Sequence, residues 1–128
     1  MSFRTANPVE AYRYITEQEA TYLDVRTPEE FVAGHAKGAV NIPLLTMGPD
    51  GRQPNPQFLE QVLAAFPKEA KLVVACAAGG RSTKACEVLS RHGYAHLLNC
   101  DGGFKGRCDP STGATLVKGW EAEGLPVE

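Results

Sequence analysis

A short apolar run that ends at a cysteine and a glycine-rich loop is the feature that most restricts the fold of this 128-residue chain. Residues 71–75 are apolar and β-branched after an initial lysine, which is typical of a strand buried on both faces. Residues 82–92 carry apolar side chains at helical spacing, with Ser82 as the expected N-cap and Gly93 as the expected C-terminal stop. The segment between them therefore joins a buried strand to the start of a helix.

Cys76 is expected at the carboxyl end of this strand, directly before the loop. Gly79 and Gly80 reach backbone angles that other residues avoid, so successive N–H groups can point inward and, with the helix dipole, favour an anion. The same field favours thiolate, since helix N-termini lower a cysteine pKa from about 8.5 to roughly 3.5–7.5. A cysteine alone is more often a small packing residue, but this combination makes Cys76 the candidate nucleophile. The candidate substrate-binding residues are Ala77, Ala78, Gly79, Gly80, Arg81 and Ser82.

Arg81 ends the loop with a planar, permanently charged fork. This group suits a pair of sulfonate, sulfate or phosphate oxygens, and it equally suits closing the loop from behind. Both roles remain open at this point.

The segment upstream predicts a second strand and helix. Residues 21–25 have the composition of a strand, and residues 27–30 combine an N-cap threonine, a proline at the first helical position and a capping-box glutamate. Asp24 would end the strand, close enough to Arg26 to form an ion pair whose role we expect to be structural. His35 lies between small residues in a loop and is interpreted as a hydrogen-bonded turn residue.

Helix and strand signals alternate along the whole chain. Proline after asparagine predicts helices that begin at residues 7–8 and 55–56, whereas the Gly- and Pro-rich residues 46–54 are expected to form a loop bordering the site. This alternation predicts an α/β fold, with a small, mostly parallel sheet flanked by helices on both faces. A length of 128 residues fits a single domain, residues 1–128.

Five segments resemble the signature segments of the rhodanese-like sulfurtransferases: residues 23–31, 34–43, 76–82, 102–104 and 119–126. The resemblance covers nearly the whole chain. It implies a rhodanese-like fold in which Asp24 and Arg26 are structural residues near the site, and we place His35 with them as a structural residue. It also implies that the Cys76 thiolate takes the outer sulfur of thiosulfate or a persulfide donor, forms a persulfide, and passes that sulfur to a thiol, to cyanide or to a protein acceptor. No cofactor is required for this chemistry.

Two other classes of function remain as alternatives. Phosphatases and arsenate reductases that use a cysteine and an arginine bracket five residues, whereas Cys76 and Arg81 bracket four, and a smaller ring suits a single sulfur. A non-enzymatic persulfide carrier or redox-sensing module is the other alternative. Ala77 and Ala78 make the first half of the loop neutral, where some thiosulfate-using relatives carry basic residues.

Composition narrows the partners and the cellular context. A net charge of −2 argues against nucleic acid, and no apolar run approaches the length of a membrane span. The amino terminus has no signal-like apolar segment, so a cytoplasmic location is expected. Four cysteines in a chain with this expected location do not indicate a disulfide framework. No two of them form a CxxC pair, so we expect no metal site.

One segment departs from the family pattern. Residues 105–118 intervene where relatives often run on directly, and they are expected to form a solvated insertion. If they instead reach the site, Cys108 is a possible second thiol that attacks the Cys76 persulfide or forms a disulfide with Cys76.

Overall fold

The computed structural model describes residues 3–128 as nine short strands and four helices. In chain order these are β1 (Arg4–Ala6), α1 (Pro8–Gln18), β2 (Thr21–Asp24), α2 (Pro28–Ala33), β3 (Val40–Asn41), β4 (Leu45–Gly48), β5 (Gly51–Pro54), α3 (Phe58–Ala65), β6 (Lys71–Ala75), α4 (Gly80–Arg91), β7 (His96–Cys100), β8 (Arg107–Cys108) and β9 (Thr115–Val117). None of the helices within this described range has the length and hydropathy needed to cross a membrane.

The centre of the molecule is a five-stranded sheet in the order β1-β7-β6-β2-β3, and every pairing within it is parallel. Alternate residues of β6 face opposite sides of this sheet. Leu72 and Val74 pack with side chains of α3 and α4, whereas Val73 and Ala75 pack with α1 and the buried Trp120. Both faces of the sheet are thus covered, which confirms the predicted α/β architecture.

Two helix starts follow the local chemistry that the sequence predicted. The Asn7 side chain accepts a hydrogen bond from the Glu10 amide at the start of α1. Thr27 and Glu30 form a complete capping box at the start of α2, with Pro28 at the first helical position. These interactions satisfy amide groups that lack partners within their own helix.

Two predicted boundaries were wrong. Helix α4 begins at Gly80 with Gly79 as its N-cap, so Ser82 lies inside the first turn, where its hydroxyl has other partners. Helix α3 begins at Phe58 rather than at Pro56, because the Asn55 side chain accepts from the Gln57 amide and donates to the Pro43 carbonyl, which holds residues 55–57 as a turn.

The segment 46–54 was predicted to be a loop, but it forms most of an antiparallel hairpin. Strands β4 and β5 pair from Leu45 with Pro54 to Gly48 with Gly51, joined by the two residues Pro49 and Asp50. The sequence Pro-Asp-Gly is a turn signal with a known mechanism, and Gly51 takes the positive φ of 102° that this turn requires. Strand β5 is polar and mostly exposed, and the half-buried β4 has only four residues, so the pair offers too short an apolar alternation to identify strands in the sequence.

Candidate active site

The carboxyl ends of the central parallel strands meet at one edge of the sheet. Asp24 of β2 is in register with Ala75 of β6, and Val74 of β6 is in register with Asn99 of β7. Cys76 follows β6 directly and is only 2% exposed. Ligands of open α/β sheets bind outside this edge, so the fold places the candidate nucleophile where such sheets carry their sites.

Two backbone amides of the loop donate to the Cys76 sulfur. The Gly79 N–H lies 3.1 Å from Sγ and the Ser82 N–H lies 3.4 Å from it. Gly79 adopts a φ of 130°, which a residue with a Cβ rarely adopts. Since these donors and the N-terminus of α4 converge on one atom, they favour negative charge on that sulfur or on a sulfur attached to it.

A second segment supports the loop from behind. The amides of Phe104, Lys105 and Gly102 donate to the carbonyls of Cys76, Ala77 and Ala78 at 2.8, 2.9 and 3.1 Å, respectively. Gly103 has a φ of 51°, and a Cβ there would overlap the Cys76 carbonyl oxygen. The glycines in the predicted 102–104 segment therefore permit a close backbone approach that fixes the loop.

The Arg81 guanidinium binds Glu30 of α2 rather than facing the sulfur as an open fork. Its Nη1 and Nη2 atoms lie 2.6 and 3.1 Å from the two carboxylate oxygens, in a bidentate pair. The hydrogen bond from Arg81 lowers the Glu30 pKa from 4.5 to about 2, with a further lowering from the Thr27 backbone, and the same pair raises the Arg81 pKa. Of the two roles left open for Arg81, this geometry corresponds to closing the loop from behind.

Arg52 brings the β4–β5 hairpin to the same carboxylate. Its Nη2 atom lies 3.5 Å from Glu30 Oε2, and its side chain is about half exposed. The hairpin therefore borders the site, as expected for residues 46–54 despite the wrong secondary structure. Sequence reasoning identified Glu30 only as a capping residue and did not identify Arg52, because their contacts join segments that are distant in the chain.

Asp24 and Arg26 form a buried ion pair next to the site. Arg26 Nη2 lies 2.8 Å from Asp24 Oδ2 and also donates to the Gly34 carbonyl at 2.7 Å. The guanidinium stacks over the Phe104 ring at 4.6 Å. Both side chains are within 2% of complete burial and use their polar atoms on each other and on backbone groups, which is the arrangement of a structural pair.

His35 follows Gly34, whose carbonyl accepts from Arg26, but its own ring has other partners. Its Nδ1 atom is 2.9 Å from the Phe31 carbonyl, and its ring stacks on the Phe31 ring with centroids 3.7 Å apart. Its Nε2 atom lies 3.5 Å from a Glu128 carboxylate oxygen. These contacts are those of a hydrogen-bonded turn residue.

Sequence reasoning also missed Asn99, a polar residue near the carboxyl end of β7. Its side chain is buried and connects the hydroxyls of Ser82 and Thr83 behind the loop. The available signal was an amide side chain between the apolar residues Leu98 and Cys100, since buried polar side chains are hydrogen-bonded and so mark a network.

The remaining thiols differ strongly in their surroundings. Burial raises the pKa values of Cys86 and Cys100 to about 12, which makes them inert packing residues. Cys108 is exposed on the β8–β9 hairpin, which forms within the predicted insertion 105–118. The neighbouring Arg107 binds Asp101 at 2.8 Å. Among residues 3–128, no group of three or more His, Cys, Asp or Glu side chains is arranged to hold a metal ion.

Fold and site together define a class: a parallel α/β protein that presents a cysteine in an amide-lined loop between a strand and a helix. Residues 7–108 match the sequence pattern of the rhodanese-like domain family. The chain belongs to this family of sulfurtransferases.

Three known proteins illustrate the relationship. "Thiosulfate sulfurtransferase 16, chloroplastic" of Arabidopsis thaliana is 40% identical over 107 residues, covering 84% of this chain and 78% of the relative. "Protein HIGH ARSENIC CONTENT 1, mitochondrial" of the same plant is 47% identical over 88 residues, covering 69% of this chain and about half (52%) of that protein. The crystal structure of Rv0390 from M. tuberculosis matches with a TM-score of 0.82 at 27% identity, covering 99% of this chain and 98% of the other.

Proposed function

We propose that this protein transfers sulfane sulfur from thiosulfate or a persulfide donor to cyanide, a thiol or a protein acceptor, with Cys76 as the carrier. The single observation that supports this most directly is the convergence of the Gly79 and Ser82 amides on the Cys76 sulfur. The 40% identity to a relative named as a thiosulfate sulfurtransferase supports the choice of donor.

The first half-reaction loads the cysteine. The Cys76 thiolate attacks the outer sulfur of thiosulfate, the sulfur–sulfur bond of the donor breaks, and sulfite leaves with the bonding electron pair. Charge balances because a thiolate and a dianion become a persulfide anion and a dianion. The loop amides of residues 77–82 are the groups that would hold the terminal sulfur of this persulfide, as an oxyanion hole holds an oxyanion.

The second half-reaction removes the terminal sulfur from the Cys76 persulfide. Cyanide, or the thiolate of another acceptor, attacks the terminal sulfur, and the Cys76 thiolate is the leaving group. With cyanide the product is thiocyanate. No proton and no external electron are needed in either half, so the chemistry needs only the thiol and the surrounding dipoles.

The charge around the loop bears on the choice of donor. Ala77 and Ala78 supply no cation, and the Arg81 guanidinium is already paired with Glu30. Donor recognition in this site therefore rests on backbone dipoles more than on side-chain charge. This favours testing a persulfide donor beside thiosulfate, and it keeps a non-enzymatic carrier fed by another protein as the alternative.

Thiocyanate production from thiosulfate and cyanide tests the proposal, with Cys76→Ala measured beside the wild-type chain. We expect turnover in the wild type and none in the variant, and circular dichroism shows whether the variant is folded. Intact mass after exposure to a persulfide donor shows whether one sulfur is added. Retained turnover in Cys76→Ala would exclude this mechanism, whereas loading without turnover would identify a carrier.

Arsenate reduction is a second candidate, because one relative at 47% identity carries arsenic in its name. The four residues between Cys76 and Arg81 form a ring smaller than that of the cysteine-dependent phosphatases and reductases, which disfavours a tetrahedral oxyanion. Arsenite formation from arsenate with a thiol reductant measures this activity. If arsenite forms in a Cys76-dependent reaction and thiocyanate does not form, the function is arsenate reduction and not sulfur transfer.

A further inference from the structure

A hydrogen-bonded chain runs behind the Cys76 loop through the side chain of Asn99. The Asn99 side chain is 3% exposed, and its Oδ1 atom lies 2.6 Å from the Ser82 hydroxyl. Its Nδ2 atom lies 2.9 Å from the Thr83 hydroxyl, which in turn lies 2.7 Å from the Gly79 carbonyl. Ser82 Oγ is also the side-chain atom 3.6 Å from the Cys76 sulfur.

Each hydroxyl has one proton, and this fixes the direction of every bond in the chain. Thr83 gives its proton to the Gly79 carbonyl, so the Asn99 group that faces Thr83 is the donating NH₂. The Asn99 oxygen then faces Ser82, and the Ser82 proton goes to that oxygen. Ser82 Oγ also lies 3.1 Å from the Gly79 carbonyl, but that carbonyl already accepts from the Thr83 amide and hydroxyl, and the 2.6 Å contact to Asn99 Oδ1 is the shorter one.

The Ser82 hydroxyl consequently presents a lone pair to the sulfur. It can accept from a Cys76 thiol, but it cannot donate to a thiolate while its proton is held by Asn99. The anionic sulfur is left with the amide donors of Gly79 and Ser82. A thiolate that receives fewer hydrogen bonds is a stronger nucleophile and a poorer leaving group.

We propose that Asn99 is a positioning residue that withholds the Ser82 hydroxyl proton from the Cys76 sulfur and so sets the reactivity of the nucleophile. It acts through Ser82 and does not touch a substrate. The functional consequence rests on the proposed sulfur transfer, whereas the hydroxyl orientation is independent of it.

Other titratable groups near the sulfur come from three elements. Negative charge on Cys76 contributes to the raised pKa values of four groups, which are Arg81 and Cys86 of α4, Cys100 of β7 and Tyr22 of β2. Burial keeps both of those thiols and the phenol neutral, so Arg81 is the charged member of this set. The substitutions below leave all four in place.

The test follows the rate of alkylation of Cys76 by iodoacetamide against pH, in chains that carry Cys108→Ala to remove the exposed thiol. Asn99→Leu keeps the side-chain volume but removes the acceptor at 2.6 Å. The Ser82 proton is then free for the charged thiolate at 3.6 Å, which competes with a Gly79 carbonyl that already has two other donors. We expect the midpoint of the pH profile to fall by about one pH unit, the size of a hydrogen bond to a charged group. The limiting alkylation rate at high pH should also fall, because a thiolate that receives an additional hydrogen bond is a weaker nucleophile.

A double-substitution cycle separates this effect from a general disturbance of the loop. Adding Ser82→Ala to Asn99→Leu should abolish the fall, so that this chain and Ser82→Ala alone have midpoints within about 0.3 pH unit. Asn99→Asp keeps an acceptor for Ser82 and should show no fall, because the hydroxyl proton stays withheld. If Asn99→Leu does not fold, Asn99→Asp still tests the proposal.

The proposal is overturned if Asn99→Leu shifts the midpoint equally with and without Ser82, or if Asn99→Asp lowers it. Alkylation does not involve sulfur transfer. A wild-type chain with neither sulfur loading nor thiocyanate turnover would therefore refute the proposed function without affecting this result.

Discussion

Replacing Glu30 by Gln isolates one ion pair between α2 and the end of the Cys76 loop. Glutamine can still complete the capping box with Thr27, so the local helix start is retained and mainly the charge is lost. The wild-type carboxylate binds Arg81 at 2.6 and 3.1 Å, and the hydrogen bonds from Arg81 are the main reason that its pKa falls from 4.5 to about 2.

This pKa sets both the size and the pH range of the effect. A fall from 4.5 to about 2 corresponds to about 3.4 kcal/mol at ~1.36 kcal/mol per pH unit. The Glu30 side chain is 26% exposed, so screening by solvent reduces the expected contribution to about 1–2 kcal/mol. Because the folded-state pKa is lowered, this stability is fully present above about pH 4.5 and is lost as the pH falls toward 2.

Urea unfolding of the wild type and Glu30→Gln at pH 7, 5 and 3 measures the prediction. The difference in free energy of unfolding should be about 1–2 kcal/mol at pH 7 and 5, and roughly half of that or less at pH 3. Glu29→Gln is the matched control, since it removes an exposed carboxylate from the same helical turn. A difference that does not change with pH, or an equal loss in Glu29→Gln, would refute the assigned pair.

Two further predictions concern backbone and core. Gly103→Ala should lower the free energy of unfolding by more than about 2 kcal/mol and reduce thiocyanate turnover, because the new Cβ overlaps the Cys76 carbonyl oxygen. Gly113→Ala, also at positive φ but with open space around it, should cost about 1 kcal/mol; equal losses in urea unfolding would contradict the steric argument. Tyr22→Phe removes a buried hydroxyl that has no hydrogen-bond partner among the described residues, so its thermal and urea stability should be unchanged or higher by up to about 1 kcal/mol. A loss above 1 kcal/mol would show that the hydroxyl is satisfied.

Local chemistry explains which parts of the fold were predictable. The helix starts at Asn7 and Thr27 depend on side chains within three residues of the amides they bind, so the sequence contains the whole interaction. The buried strand 71–75 is equally visible, because both of its faces are apolar.

The wrong predictions concern segments whose structure depends on more than local chemistry. Asn55 has a capping side chain and precedes a proline, but its amide is drawn to the Pro43 carbonyl, twelve residues earlier, and the helix starts late. In the hairpin 45–54, β5 is polar and mostly exposed and β4 has only four residues, so the hydrophobic pattern is too short to predict the pairing. In both cases the structure depends on contacts that the local sequence does not encode.

The same distinction holds at the site. The sequence alone determined that Cys76 follows a buried strand and precedes a helix, because apolar periodicity and glycine placement are local properties. Tertiary structure decided which groups surround the loop. Glu30 reaches Arg81 across 51 positions, and Asn99 reaches Ser82 across 17. These contacts exist only once the parallel sheet has brought the ends of its strands together, since packing and not local conformation sets the distance between them.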